Sequence, residues 1–110
     1  MSYYLMQVAY TAEGWQGLVE NPHHRVEALR PAIEDLDGRI ENAWYSFGEF
    51  DITLIVQMPD NVSAAALSIA LASGGALKNV KTTPLLTATE AIEAMKRAGK
   101  AGARAAASAA

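Results

Sequence analysis

The sequence predicts an α+β domain in which one four-stranded antiparallel sheet carries its helices on a single face. Three observations predict it. Two β-rich runs between Arg39 and Met58 flank the short connection Gly48–Asp51, the pattern of a β-hairpin. Strand-type alternation recurs at Tyr3–Tyr10 and Leu77–Leu86, near the two ends of the chain. Helical spacing with capping residues fills the gaps after the first run and before the last. An isolated hairpin is unstable in water, so the other elements must cover its apolar face.

With 110 residues the chain suits one domain with a single core. Its 51% hydrophobic and 19% charged residues argue against disorder. The absence of cysteine excludes disulfides and thiolate chemistry and is compatible with a reducing compartment. The start, Met1–Gln7, lacks the basic residues and apolar core of a signal peptide. The longest apolar stretch, Ala64–Ala72, is alanine-rich, broken by Ser68 and too short to span a bilayer. A cytoplasmic location with no membrane partner is expected.

Charge is uneven. Residues 1–95 hold all twelve acids and five bases, a net of −7, and Lys96, Arg97, Lys100 and Arg104 bring the total to −3. An acidic body disfavours nucleic acid as a partner, because phosphate contacts need a basic face.

Taken in order, Tyr3–Tyr10 puts Tyr4, Met6, Val8 and Tyr10 on one face and Tyr3, Leu5, Gln7 and Ala9 on the other. Thr11 caps a short helix through Trp15 and Leu18, weakened by Gly14 and Gly17. Asn21 and Pro22 suit the N-cap and first position of a second helix. Its stripe is Val26, Leu29, Ile33 and Leu36, with a kink expected at Glu27–Pro31. Gly38 is the expected left-handed C-terminal cap.

The hairpin follows, with Ile52, Leu54, Val56 and Met58 sharing the apolar side of its second strand. Pro59–Asn61 caps a small-residue helix to about Ser73, and Gly74–Gly75 stops it. Pro84 points to an edge position for the fourth strand or to the strand's end. Thr87 and Glu90 form a capping-box pattern ahead of a last helix to about Ala98. The remaining residues, 99–110, read as an alanine-rich low-complexity tail beyond a domain of residues 1–98.

The order β-α-β-β-α-β is the split βαβ arrangement of ferredoxin-like folds. Right-handed crossovers place both main helices on one face and leave the other bare. Alternation assigns Leu5, Ala9, Ile55 and a subset of Ala43, Tyr45 and Phe47 to that bare face. Such a face usually has a partner, here a second copy of the chain, so a homo-oligomer is expected.

Several local patterns resemble the GYD-domain family. They are Thr11 with Gly14, Pro22 with Arg25, the turn Phe47–Asp51, Pro59–Asp60, Gly75 and Asn79–Thr82. Phe50 stands where the family's Gly–acidic–Tyr–Asp turn has tyrosine. The resemblance spans roughly Tyr3–Met95 and is similar in kind to dimeric α/β-barrel proteins. It implies sheet-to-sheet association and no particular reaction.

Gly48 and Asp51 first suggest a built turn, with Asp51 accepting backbone N–H groups. The sharper reading makes them ligand contacts at a subunit boundary. His23 and His24 are adjacent, about 100° apart on a helix, so they do not chelate one ion from one face, and no metal site is expected. No serine sits in a nucleophile elbow, and Gly74–Gly75 lacks the pattern of a phosphate loop, so no motif asks for a cofactor.

Trp15, Trp44, Tyr45 and Phe47 serve packing more often than pockets. Arg25, Arg30, Lys78 and Lys81 are more often solvated or paired than anion-binding. The expected ligand-binding set is Trp15, Arg25, Tyr45, Phe47, Gly48 and Asp51, with no catalytic residue. Two function classes follow. One is a non-catalytic small-molecule binding, sensing or assembly module. The other is a small dimeric-barrel enzyme (an isomerase, cyclase or cofactor-independent oxygenase) using Asp51, His23 or His24. A buried ionisable group of shifted pKa beside a cavity would separate them.

Overall fold

A computed structural model describes residues 1–22 and 24–109. The elements are β1 (Ser2–Tyr10), α1 (Ala12–Glu20), α2 (Arg25–Asp35), β2 (Arg39–Tyr45), β3 (Ile52–Met58), α3 (Asn61–Ala72), β4 (Leu77–Leu85) and α4 (Ala88–Ala109). The strands form one antiparallel sheet in the order β2-β3-β1-β4, the ferredoxin-like arrangement. β4 is an edge, which accommodates Pro84 and its missing N–H.

The alternating residues of the central strands make the core. Met6, Val8, Ile52, Leu54, Val56 and Met58 are fully buried, and Leu29 and Ile33 of α2 and Ala64 and Leu67 of α3 pack against them. Three helix starts have a side-chain cap, and α2, which begins after His24, has none. Thr11 Oγ1 accepts from the Gly14 N–H at 3.0 Å, and Asp60 Oδ1 accepts from the Ser63 N–H at 2.8 Å. Thr87 and Glu90 exchange hydrogen bonds of 2.9 and 3.1 Å, a complete capping box. α2 continues through Pro31 to Asp35, so the proline does not end it.

Four expectations need correction. α2 begins at Arg25, not at Asn21–Pro22. Asn21 instead closes α1, its N–H donating to the Gly17 carbonyl at 3.0 Å, and Pro22 favours an extended residue before it. At the end of α2 the left-handed residue is Asp37, with φ 61°, not Gly38. Asp37 N–H reaches the Glu34 carbonyl and Gly38 N–H the Ile33 carbonyl, both at 2.9 Å, a Schellman closure. Gly38 is required for a different reason: a Cβ there would strike Met58 Sδ and come within 2.8 Å of the Gln57 carbonyl.

The third correction concerns the bare face. A register shift between Ile40 and Asn42 sets Ala43 opposite Leu54, and Tyr45 opposite Ile52, so both point to the helix side. Trp44 pairs with Thr53 and takes the bare face beside Ile55, Leu5 and Tyr3. Phe47 lies beyond the strand, 98% exposed in the turn. The fourth is α4, which does not stop near Ala98 but stays helical to Ala109. Alanine has the strongest helix propensity, and the run of alanines carries the helix across Gly99 and Gly102.

Candidate functional site

The sequence of α1 builds a cleft on the helix side. Gly14 lets the helix lie against the chain before β4, since a Cβ would sit 2.5 Å from the Ala76 carbonyl. Thr11 fastens the same point, its N–H donating to the Ala76 carbonyl at 3.0 Å. One residue beyond Gly14, the Trp15 ring meets Tyr10 edge-on, with centroids 5.1 Å apart and planes at 63°. Trp15, Leu18 and Val19 then form one wall, and Pro22, His24 and Tyr45 complete an open cleft of about 560 Å³. Tyr45 is held in place by α2, whose first N–H, from Arg25, donates to its hydroxyl at 3.1 Å.

Tyr10 is the unusual member of this group. Its side chain is buried, and its hydroxyl makes no hydrogen bond of good geometry among the described residues, although the Arg25 side chain lies near enough to act on it as a donor. Tyr4, three pleat repeats away on the same strand face, donates to Asn61 Oδ1 at 2.5 Å. Burial pushes the Tyr10 pKa above the ordinary phenol value, while the nearby positive charge of Arg25 pulls it down. The net direction is upward, so at neutral pH the group is a neutral phenol, able to donate a proton to an acceptor placed beside it.

The six residues expected to share a ligand do not come together. Trp15 and Tyr45 line the helix-side cleft, and Arg25 acts on Tyr10 at its edge. Phe47 and Gly48 line a separate cleft on the bare face with Gln7, Thr53 and Lys81. Asp51 joins neither as a free carboxylate. Its Oδ2 accepts from the Tyr10 N–H at 2.8 Å and its own N–H donates to the Val8 carbonyl at 2.8 Å, so it ties the hairpin to β1. His24 is exposed at the start of α2, and His23 lies outside the described residues. Among the described residues no three histidine, cysteine or acidic side chains are grouped to hold a metal ion.

Tyr10 and Leu18 were missed as site residues because their spacing marks them as core. No sequence signal marked them, because whether a core tyrosine's hydroxyl meets a partner is decided by residues distant along the chain, as with Tyr4 and Asn61.

Fold and cleft define a ferredoxin-like α+β domain with an aromatic-lined recess between its first helix and its sheet. The chain belongs to the GYD-domain family, whose sequence model matches residues 4–95. The match stops within α4, so the rest of that helix lies outside it. No curated protein matches the sequence significantly. One similar solved structure, described as the crystal structure of FFRP-DM1, shares 12% identity at a TM-score of 0.49, covering 78% of this chain and 100% of that one. No helix among the described residues is long and apolar enough to cross a membrane.

Proposed function

We propose that this GYD domain is a non-catalytic module that binds a small carboxylate with an apolar or aromatic body and works as an oligomer. The observation that carries the reading is the open, largely apolar cleft walled by Trp15 and Tyr45, with the Tyr10 ring packed behind Trp15 and the Arg25 backbone bonded to Tyr45. Arg25 supplies the cation and the cleft supplies the apolar wall. Oligomerisation rests on the bare face, where Tyr3 and Trp44 are exposed beside Leu5 and Ile55. A cytoplasmic site of action belongs to the same reading, in keeping with a chain that has no cysteine.

Thermal-shift screening against small carboxylates and aromatic metabolites tests it. A ligand at a hundred times its Kd stabilises the fold by about 2.7 kcal/mol, well within detection. Calorimetry on a hit should show affinity lost in Trp15→Ala and Arg25→Ala, and reduced in Tyr10→Phe. Unchanged affinity in all three rejects the cleft.

The same tyrosine favours one second reading. A phenol held neutral beside a cleft is also a general acid in waiting, as a small dimeric-barrel isomerase, cyclase or oxygenase would require. Turnover of a screening hit, abolished by Tyr10→Phe with binding retained, would establish the enzyme.

A further inference from the structure

The hairpin end of the bare face carries a recess unlike the helix-side cleft in its make-up. It has a volume of about 330 Å³ and is lined by Gln7, Thr53, Lys81 and the turn Ser46–Phe50. The sheet sets three of these in one row: Gln7 of β1 lies directly opposite Thr53 of β3 on one side and Lys81 of β4 on the other. Directly opposed side chains stand about 5 Å apart, so amide, hydroxyl and ammonium serve one space. The turn that makes the remaining wall is fixed to the sheet. Ser46 N–H donates to the Asp51 carbonyl at 2.9 Å, Ser46 Oγ to the Phe50 carbonyl at 2.8 Å, and Asp51 N–H to the Val8 carbonyl at 2.8 Å.

Two features of the recess serve nothing within the chain. Lys81 and Glu49 carry opposite charges and line the same space, yet among the described residues neither pairs with the other or with any neighbour. The side chains of Gln7 and Thr53 are equally free among the described residues. Gly48 answers no demand of the fold: its φ lies outside the left-handed region, and a Cβ there would meet no atom within 4 Å. Glycine in such a place lets another molecule approach the main chain closely.

We infer that this recess binds a small zwitterion, a molecule with one carboxylate and one ammonium group. Lys81 takes the carboxylate and Glu49 the ammonium, while Gln7 and Thr53 hydrogen-bond between them. Gly48 leaves room at the main chain, and the fully exposed ring of Phe47 supplies cover for an apolar part of the ligand. Charge selects this class. A simple anion would lie against Glu49 and a simple cation against Lys81, so each would meet one repulsive group. A molecule with both charges satisfies both side chains. Among the described residues, the lining of the helix-side cleft holds no acid, which is why a carboxylate alone suits that site. The second site does not depend on the first, and the apolar pair Leu5 and Ile55 lies beside the recess rather than in it.

Amide NMR titration of the full chain with phenylalanine, phenylpropanoate and phenethylamine tests this, because the last two are the first with one charged group removed. Phenylalanine at millimolar concentration should shift the amides of Gly48, Glu49 and Thr53 saturably. The other two compounds should shift them several-fold less. Lys81→Met, Glu49→Gln and Gly48→Ala, all at exposed positions, should each weaken the binding several-fold. The Trp15 indole N–H reports the helix-side cleft separately, so binding there moves a different signal. Shifts at Trp15 with none at the hairpin overturn this site and leave the other standing. The inference also falls if no compound gives a saturable shift at the hairpin, if all three act equally there, or if both charge variants bind as the wild type does.

Discussion

The two faces of the sheet use the same strands and meet different fates. Along β3, Ile52, Leu54 and Val56 vanish under α2 and α3, while Thr53 and Ile55 between them stay half-exposed. Only the direction of the side chain differs, because strand residues point alternately to opposite sides. The covered face holds the fold together. The bare face contributes less to the single chain and is the surface on which the proposed oligomer rests, which makes neighbouring residues in one strand separable by experiment.

Ile55→Lys is the sharpest way to break the comparison. Burying an unpaired charge costs several kcal/mol, so the variant should sediment as a lower assembly while its urea midpoint measured as a monomer barely moves. A wild type that already sediments as a monomer at micromolar concentration would remove the role given to the bare face. Its neighbour tests the other side: Leu54→Ala should cost about 2–5 kcal/mol in urea unfolding, from lost burial plus the cavity left behind. A similar loss at both positions would mean that the two faces are not distinct.

Thr11→Ala probes how the cover is fastened. The substitution removes the N-cap of α1 and the Thr11 hydroxyl's bond to the Ala76 carbonyl, so about 1 kcal/mol should be lost on chemical denaturation. Because α1 carries Trp15, its fluorescence should shift as well. An unaltered spectrum would show that the cleft wall does not depend on this cap.

The smallest effect is pH-dependent. Hydrogen bonds from Ser63 hold the Asp60 carboxyl below its ordinary pKa, and those from Thr87 do the same for Glu90. A depressed folded-state pKa stabilises above the unfolded value and is lost as pH falls through the folded one. Urea midpoints should therefore be flat near neutrality and fall modestly below about pH 4–5. Asp60→Asn should flatten the part due to α3, which helps to cover the closed face.

The sequence by itself determined the element order, the core residues and the family. Alternation in β1 and β3 and the stripe on α2 are local patterns, and each admits one buried side. Capping was legible for the same reason, since Thr11, Asp60 and the Thr87–Glu90 pair act on backbone groups within four residues. Only the tertiary structure decided the rest. One register shift in β2 exchanged Tyr45 for Trp44 on the bare face, because a single extra residue reverses every side chain after it. Contacts with distant residues chose Asp37 over Gly38 for the left-handed position and bound Asp51 to β1. The buried Tyr10 hydroxyl meets Arg25 of α2 without a hydrogen bond of good geometry, and such a pairing in space leaves no mark on the spacing of residues along the chain.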